Sequence, residues 1–320
     1  MTRPRKEQIS LTDTPYYHII SRCIRRTFLC GFDHETQQNY EHRKQWIVDR
    51  IRLLSSIFTI DLCSYAVMSN HYHLVIKIDT KQSDQWSDRE VAERWTAIYQ
   101  GPLIVQQWLT GGALSEIEQT TLNSTITIWR KRLCNISWFM KSLNEPIARL
   151  ANKEDGCTGH FWEARYKSQA LLSETALLAC MVYVDLNPIR ASINKTPETS
   201  DYTSIQERIS SQWNLEEAIN AQFKETAIQL NTSIKPLLRF KGTSDIDPKN
   251  ALPMTFIDYL ELVDWTGRTI RDDKRGYIPK TLPSITKRLN LNSSNWLKQS
   301  VHFEDHYRRN FRLAAKNNTS

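Results

Sequence analysis

The chain lacks the long apolar runs of membrane proteins. Its longest run, Ala176 to Val184, falls well short of the roughly 20 residues that a membrane-spanning helix needs. The N-terminus, Met1 to Lys6, is charged but has no apolar stretch behind it, so we expect no secretory signal. These absences predict a cytoplasmic protein without a membrane partner.

None of the six cysteines belongs to a Cys-x-x-Cys pair. That spacing is typical of structural zinc ribbons, whereas a disulfide framework is typical of short secreted chains with many cysteines. The scattered cysteines therefore argue against both, and they fit a reducing compartment.

Net positive charge is confined to the end of the chain. Residues 271–320 contain 11 Lys and Arg against 4 Asp and Glu, which equals the net charge of +7 of all 320 residues. A basic segment of this kind suits a polyanion, and nucleic acid is the commonest one. A solubilising tail is the alternative interpretation.

The stretch from Asn70 to Ile78 alternates between two sets of side chains, which predicts a strand with one apolar face. The opposite face carries His71 and His73. A His-x-His pair on a rigid strand gives a metal ion two ligands from one element. Taken alone, however, such a pair is more often two polar surface residues.

The surrounding segments predict an α+β fold. Pro15 to Arg26 and Thr59 to Val67 favour strands, and Glu35 to Ser56 has the apolar spacing of an amphipathic helix. With the His-x-His strand, the order is β-α-β-β, which is the first part of a ferredoxin-like unit. Phe161 to Leu171 alternates well enough to be a fourth strand.

Between the third and fourth strands lie two dissimilar segments. Residues 80–127 contain polar loops, Gly-Pro and Gly-Gly pairs and a Ser/Thr-rich stretch, so we interpret them as an insertion or a mobile connection. Ile128 to Asn152 has helical spacing, and we expect Pro146 to kink or break that helix.

A helix that begins at Ser173 carries two further candidates. Tyr183 and Asn187 are four residues apart, so they lie on the same helix face. If that face looks toward the His-x-His strand, two imidazoles and one amide oxygen can hold a divalent metal next to a phenol. A free tyrosine has a pKa of about 10, so a metal that helps the phenol ionise would be needed to make it a nucleophile at neutral pH.

Basic side chains in four parts of the chain are candidates for contacts with DNA phosphates. They are Arg22, Arg25, Arg26, Lys77, Arg165, Lys167, Lys287 and Arg288. For the three arginines of the first strand, a solvated strand edge is an equal alternative.

Three segments, in this order, resemble the single-tyrosine HUH transposases, in which U is a bulky apolar residue. They are His71-Tyr72-His73, Phe161 to Lys167 (Phe-Trp-Glu-Ala-Arg-Tyr-Lys) and Tyr183 to Ala191 (Tyr-Val-Asp-Leu-Asn-Pro-Ile-Arg-Ala). Within that superfamily the chain is most similar to the REP-associated tyrosine transposases and other insertion-sequence transposases with an HUH motif. The resemblance covers roughly residues 10–195.

The resemblance implies a ferredoxin-like (RRM-like) antiparallel sheet with helices. It implies that His71, His73 and Asn187 bind Mg²⁺ or Mn²⁺, and that Tyr183 cleaves single-stranded or hairpin DNA to form a 5′-phosphotyrosine. The released 3′-hydroxyl later reverses the step on another strand without ATP. Relatives include homodimers and monomers, so both states stay open, and the expected location is the bacterial cytosol or nucleoid.

The chain also departs from the family. The connection at 80–127 is longer than in the smallest members. Tyr166 is a second tyrosine close to the motif, so composition alone leaves two candidate nucleophiles. Asp185 lies on a different helix face from Tyr183, and we predict that it is a helix surface residue.

These observations predict two regions. Residues 1–195 would form the catalytic domain, with the insertion at about 80–127, and residues 196–320 a mainly helical basic region. Within the second region, 282–299 has the pattern of a helix-turn-helix, with Ser293 or Ser294 capping the second helix. A helical accessory domain that packs on the first region is the alternative.

Two other functions stay open at the level of sequence. A catalytically silent, domesticated DNA-binding protein or regulator would keep the fold, but it has no need of the complete His-His-Tyr-Asn set. A hydrolytic metallonuclease would activate water and cleave DNA without a covalent adduct.

Overall fold

The computed structural model describes residues 9–24, 29–33, 37–210, 235–242 and 251–288. The strands are β1 (Tyr16–Arg22), β2 (Phe32–Asp33), β3 (Gln38–Asn39), β4 (Ile60–Val67), β5 (His71–Ile78) and β6 (Lys167–Ala170). The helices are α1 (His42–Ile57), α2 (Asp88–Thr96), α3 (Leu103–Leu109), α4 (Glu116–Leu133), α5 (Ile136–Glu154), α6 (Glu174–Asp185), α7 (Asn187–Arg190), α8 (Ser204–Ser210), α9 (Phe256–Arg268) and α10 (Ile285–Arg288). Short 3-10 helices cover Gln82–Gln85 and Pro197–Thr199.

The central sheet confirms the predicted α+β class. Four antiparallel strands lie in the order β4-β5-β1-β6. The chain visits them as β1-α1-β4-β5-α5-β6, which is the βαββαβ order of ferredoxin-like folds. The β2–β3 pair is added between β1 and α1, and α2 to α4 are added between β5 and α5.

The alternation predicted for β5 is present, but both of its faces are covered. Tyr72, Leu74 and Ile76 point into a core that is shared with α1 and α5. Val75 points the other way, into a second core beneath α6. The strand that carries the His-x-His pair is therefore held rigidly between two layers of helices, because both sets of its side chains are packed.

Helix α6 begins where the sequence predicts. The hydroxyl of Ser173 accepts a hydrogen bond from the backbone N–H of Ala176, which satisfies one of the free donors of the first turn. The helix ends at Asp185, and a one-turn helix, α7, follows with Pro188 in its first turn. Proline is tolerated there because the first N–H groups of a helix have no intrahelical partner.

Two predicted elements are shorter than expected. The helix expected from Glu35 begins only at His42, because Gln38–Asn39 pair with Phe32–Asp33 as a small hairpin. The fourth strand covers Lys167–Ala170 rather than Phe161 to Leu171. Before it, Trp162 makes only an isolated bridge with Cys23, and its indole donates to the carbonyl oxygen of Asn144 at 2.9 Å.

Of the two interpretations of residues 80–127, an insertion or a mobile connection, the helices found there favour the insertion. The segment folds into helices, and the Trp95 ring stacks on Tyr99 and Trp129 at centroid distances of 4.8 and 5.4 Å. The Ser/Thr-rich stretch lies inside α4, where hydroxyls donate to carbonyls one turn back, as Thr121 does to Ile117 at 3.0 Å. Such bonds let Ser and Thr sit in a helix that tertiary packing stabilises.

The helix expected over Ile128 to Asn152 is divided differently. Helix α4 ends at Leu133, and α5 starts after Asn135, whose side chain accepts from the N–H of Ser137 at 2.8 Å. Pro146 neither ends nor divides α5. The break is thus made by a capping asparagine rather than by the proline.

Residues after 195 pack on the outer side of β4 and α6. The N–H of Leu238 donates to the carbonyl of Leu62 at 2.8 Å. The guanidinium of Arg208 donates to the carbonyls of Cys63 and Leu238 at 3.0 and 2.9 Å. The division into 1–195 and 196–320 stays a prediction.

Two further findings concern the helices. The predicted helix-turn-helix is represented only by α10, since its second helix and the caps at Ser293 and Ser294 lie outside the described residues. None of the helices in the described ranges is long and apolar enough to cross a membrane.

Candidate active site

The His-x-His strand places two imidazoles side by side at one end of the sheet. His71 lies opposite Arg22 of β1, and His73 lies opposite Ile20. The two histidine rings have centroids 4.9 Å apart and planes 77° apart. His73 is buried, whereas His71 is partly exposed.

A third histidine, His18 of β1, joins this pair. It is two residues before Ile20 and so points to the same face of the sheet as His73. Its Nε2 lies 3.0 Å from Nδ1 of His73, and the two rings are within 11° of parallel. Sequence analysis missed His18 because one polar residue in a strand has no motif; the alternation of Tyr16, His18, Ile20 and Arg22 was the available signal.

Among the described residues, Nε2 of His73 has no hydrogen-bond partner. This atom is buried. In His71, Nδ1 lies 2.5 Å from the Asn70 side-chain oxygen, which can only accept, so the proton of neutral His71 belongs on Nδ1. Nε2 of His71 is then a lone pair that can bind a metal.

The electrostatics keep all three imidazoles neutral near pH 7. Burial lowers the pKa of His18 to about 4, and burial together with the charge of Arg22 lowers the pKa of His71 to about 4. Burial lowers the pKa of His73 well below its usual range, and His18, His71 and Arg22 act in the same direction. Neutral imidazole is the form that binds metal ions.

Helix α6 brings Tyr183 to this cluster. Its ring meets the His73 ring edge-on, with centroids 5.6 Å apart and planes 86° apart. A similar contact to His18 has a centroid distance of 6.1 Å. Because Tyr183 is also 40% exposed, a polymer in solution can reach its side chain.

Asn187 lies one helical turn after Tyr183. Its Nδ2 donates to the Tyr183 carbonyl at 3.4 Å. Both residues line a cavity with Arg190, Arg271 and Lys274, and no histidine is among the described residues that line it. The structure thus brings His71, His73 and Tyr183 together, and Tyr183 shares the lining of a basic cavity with Asn187.

Two contacts hold the walls of the basic cavity together, one made by Arg190 and one by Gly276. The guanidinium of Arg190 donates to the carbonyls of Thr266 and Thr269, both at 2.7 Å. A Cβ on Gly276 would lie 1.8 Å from the carbonyl oxygen of Ile189, so only glycine allows this segment to approach α7 so closely. Arg271 and Lys274, which precede it, were not singled out by the sequence analysis.

His71 and His73 are the residues that could hold a metal ion. They are neutral, they are adjacent, and Nε2 of His73 lacks a hydrogen bond within the described part of the chain. No three His, Cys, Asp or Glu side chains in that part converge on a metal site. A metal here would therefore need an amide or other oxygen donor to complete its coordination. Because Nε2 of His73 is buried, a neighbouring side chain would have to move to let a metal reach it.

Two predicted DNA contacts lie close to the histidines. Arg22 is exposed and opposite His71. Lys167 of β6 is exposed and opposite Ile20, which in turn is opposite His73, so these three form one row across the sheet. Neighbouring strands are about 4.8 Å apart, which places the Lys167 backbone roughly 10 Å from that of His73.

Other predicted contacts lie farther away. Lys77 is at the opposite end of β5, roughly 20 Å from His71 at about 3.3 Å per residue. Arg165 is exposed and lines an open groove with Lys141 and Trp162. Arg25 and Arg26 lie outside the described residues.

The two C-terminal candidates differ from each other. Lys287 is exposed. Arg288 forms ion pairs with Glu198 at 2.5 Å and with Asp264 at 3.2 Å. Its guanidinium therefore connects α10 to the 3-10 helix and to α9.

The second tyrosine, Tyr166, has a different setting from Tyr183. It is 8% exposed, and its hydroxyl lies 3.0 Å from Oγ of Ser137. It lines the same groove as Arg165. Packing and a hydrogen bond thus explain the position of the Tyr166 side chain.

The expectation that Asp185 is a surface residue is wrong. It is 1% exposed, and its carboxylate accepts from the hydroxyls of Ser64 at 3.2 Å, Ser204 at 2.6 Å and Tyr259. Burial raises the pKa of Asp185 to about 6, although hydrogen bonds from Ser204 and Tyr259 act in the other direction. The side of α6 that looked exposed in the sequence is covered by α8 and α9.

Comparison with known proteins gave few matches. No family model and no curated protein matches the sequence. Among solved structures, the chain is similar to one described as "Structure of the REP associates tyrosine transposase bound to a REP hairpin", with a TM-score of 0.38 and 9% sequence identity. The match covers 67% of this chain and 90% of that chain. At this distance the likeness carries no argument about activity.

Proposed function

We propose that the chain is a metal-dependent DNA strand transferase, a transposase of the HUH type, with Tyr183 as its nucleophile. One observation carries the proposal: an exposed tyrosine lies against His73, whose buried Nε2 has no hydrogen bond among the described residues. An exposed phenol beside neutral imidazoles is the arrangement that metal-assisted attack on a phosphodiester requires.

His71 and His73 would hold the metal, with Asn187 as the proposed third donor. Their neutral imidazoles and an amide oxygen suit Mg²⁺ or Mn²⁺, of which Mn²⁺ accepts nitrogen ligands more readily. When bound, such an ion would neutralise phosphate oxygens and favour ionisation of a nearby phenol. The protein itself would position the phenol, since α6 holds Tyr183 edge-on to His73.

The proposed step conserves the phosphodiester bond energy. The Tyr183 oxygen attacks phosphorus as the bond from phosphorus to the 3′ oxygen breaks. The phenol proton passes to solvent, and the leaving 3′ oxygen takes up a proton to become a hydroxyl. The product is a 5′-phosphotyrosine, which a 3′-hydroxyl of another strand can attack in reverse, so no ATP is consumed.

Single-stranded or hairpin DNA is the proposed substrate. Arg22 and Lys167 lie on the same sheet face as the histidines, and Arg271 and Lys274 line the cavity beside Tyr183. Together they would contact phosphates on both sides of the tyrosine, because each cation neutralises one backbone charge. A cytoplasmic location would follow from this substrate.

The experiment is an adduct assay with a matched tyrosine control. Labelled single-stranded hairpin DNA is incubated with the protein and Mn²⁺ or Mg²⁺ and then separated on a denaturing gel. We expect a protein–DNA adduct that is lost in Tyr183→Phe and kept in Tyr166→Phe, since each variant removes one hydroxyl.

Each other outcome contradicts the proposal in a different way. An adduct that survives Tyr183→Phe and disappears in Tyr166→Phe would move the nucleophile. Cleavage without an adduct would indicate hydrolysis by activated water. Binding without cleavage, with every hairpin tested, would favour a silent DNA-binding protein.

A further inference from the structure

The arrangement of His18 and His73 goes beyond the two histidines of the motif. His18 Nε2 and His73 Nδ1 are 3.0 Å apart, which is a normal distance for a hydrogen bond. One of these two nitrogens must carry the proton, because a hydrogen bond needs one donor and one acceptor. Which one carries it determines whether Nε2 of His73 is a lone pair or an N–H group.

The burial of His73 limits which of the two nitrogens can carry the proton. If Nδ1 of His73 were the acceptor, its Nε2 would carry the proton, and a buried N–H would have no acceptor among the described residues. An unsatisfied buried donor is unfavourable, because it has lost its hydrogen bond to water and gained none in the fold. If Nδ1 is the donor, Nε2 is a lone pair, which is the atom that a metal would use.

The neighbouring histidine has the same arrangement. His71 directs Nδ1 to the side-chain oxygen of Asn70 at 2.5 Å, which leaves its Nε2 as a lone pair. Metal-binding histidines commonly donate their second ring N–H to an acceptor that fixes ring orientation and tautomer. Asn70 is placed to do this for His71, and His18 is placed to do it for His73.

We propose that His18 is a positioning residue, whose Nε2 accepts from Nδ1 of His73 and so holds the Nε2 lone pair of His73 ready for a metal ion. The proposal depends on the proposed function only in taking His71 and His73 as the metal-binding residues. His18 is not itself proposed as a ligand, because its hydrogen bond reaches the opposite nitrogen of the His73 ring.

The β1–β5 pairing makes this role specific to position 18. His18 and Ile20 lie on the same face of β1, but only Ile20 is directly opposite His73. The imidazole of His18 therefore reaches His73 diagonally, a geometry that long side chains can span in an antiparallel pair. Ile20, which makes no hydrogen bond through its side chain, provides a matched control.

Two measurements on the full chain test the proposal. The first is nitrogen NMR of the metal-free wild-type protein, which reads the protonation of each His73 ring nitrogen. We expect a protonated Nδ1 and an unprotonated Nε2. The reverse pattern would overturn the proposal, and this measurement needs neither a variant nor an active enzyme.

The second measurement is Mn²⁺ binding by calorimetry, without DNA. His18→Phe keeps the ring but removes the acceptor, and we expect a 10–100-fold weaker affinity, the usual effect of losing such a partner. His18→Asn keeps an acceptor oxygen and should recover most of the affinity, and Ile20→Val should bind as wild type does. If His18→Phe does not fold, the Mn²⁺ affinity of His18→Asn and the NMR measurement still test the role of His18.

The outcomes separate this proposal from the proposed function. Wild-type affinity in folded His18→Phe would overturn the role of His18. Mn²⁺ binding that depends on His18, in a protein that forms no DNA adduct, would support the role of His18 and contradict the transferase. If wild type binds no Mn²⁺, the metal site is refuted, and with it the role proposed for His18.

Discussion

Tyr183 and Asp185 are two residues apart on α6, yet Tyr183 is 40% exposed and Asp185 is 1% exposed. Two residues of a helix are separated by about 200° around its axis, since a turn contains about 3.6 residues. The same stretch of helix therefore presents a phenol to the histidines and anchors its other side through a buried carboxylate. Three hydroxyl groups, from Ser64, Ser204 and Tyr259, bind that carboxylate.

We expect the protein to lose stability as the pH falls from 6.5 toward 4. Burial lowers the pKa of His18 from 6.5 to about 4, so in this range the unfolded chain binds a proton that the folded chain does not. The contribution of His18 is fully present above pH 6.5 and amounts to roughly 3 kcal/mol, at about 1.4 kcal/mol for each pKa unit. His71, with the same direction of shift, adds to the effect.

Urea unfolding at pH 7, 6 and 5 measures this dependence. A free energy of unfolding that is constant between pH 7 and 5 would show that the histidine cluster is not buried as described.

Asp185→Asn should make this loss of stability steeper. The pKa of Asp185 is raised from 3.8 to about 6, so its contribution is fully present below pH 3.8 and is lost as the pH rises through 6. That direction is opposite to the direction for the histidines. Removing the carboxyl group removes the opposing contribution, and the stability of the variant relative to wild type should improve by roughly 3 kcal/mol from pH 3.8 to pH 7.

The same urea series decides this prediction. The stability curves of wild type and Asp185→Asn should diverge between pH 4 and 6. Parallel curves for Asp185→Asn would mean that the carboxyl group titrates as it does in the unfolded chain.

Lys287→Ala and Arg288→Ala should act on different properties. Arg288 pairs with Glu198 and with the buried Asp264, which Arg268 also contacts, so removing Arg288 breaks two ion pairs and should destabilise the fold by about 1–3 kcal/mol. Lys287 is exposed, and its removal should leave stability within about 0.5 kcal/mol. If Lys287 contacts DNA, its loss should also reduce the salt dependence of DNA binding by about one phosphate contact.

Thermal unfolding and DNA binding at several salt concentrations distinguish the two variants. An Arg288→Ala variant that is as stable as wild type would show that its ion pairs are not important for packing α10. A Lys287→Ala variant with unchanged salt dependence would remove Lys287 from the candidates for DNA contact.

The face of a strand or helix on which a side chain lies could be predicted from the periodic spacing of apolar residues in the sequence. The alternation of Tyr72, Leu74 and Ile76 with His71 and His73 determines a face for each, and pairing in a sheet preserves it. The four-residue spacing of Tyr183 and Asn187 likewise indicated a shared helix face. Spacing did not indicate that this face would also line a cavity with Arg271 and Lys274, which come from a distant part of the chain.

Contacts between distant parts of the chain were not predictable. Asp185 looks like a surface residue because the elements that bury it, α8 and α9, come from residues 204–268. His18 belongs to no motif, and only strand pairing places it beside His73, 55 residues later. The Ser/Thr-rich stretch in α4 has low intrinsic helix propensity, and stacking of Trp129 on Trp95 outweighs it.

If Tyr183 forms the proposed adduct, the anchoring of α6 limits how a second DNA strand could be joined. Three hydroxyl groups from three separate elements hold the helix two residues away from Tyr183. A DNA end attached to that tyrosine would stay against the sheet, because moving the helix would leave a buried carboxylate without its donors. Exchange of strands would then depend on the mobility of the DNA, and the length and flexibility of the incoming strand would set its rate.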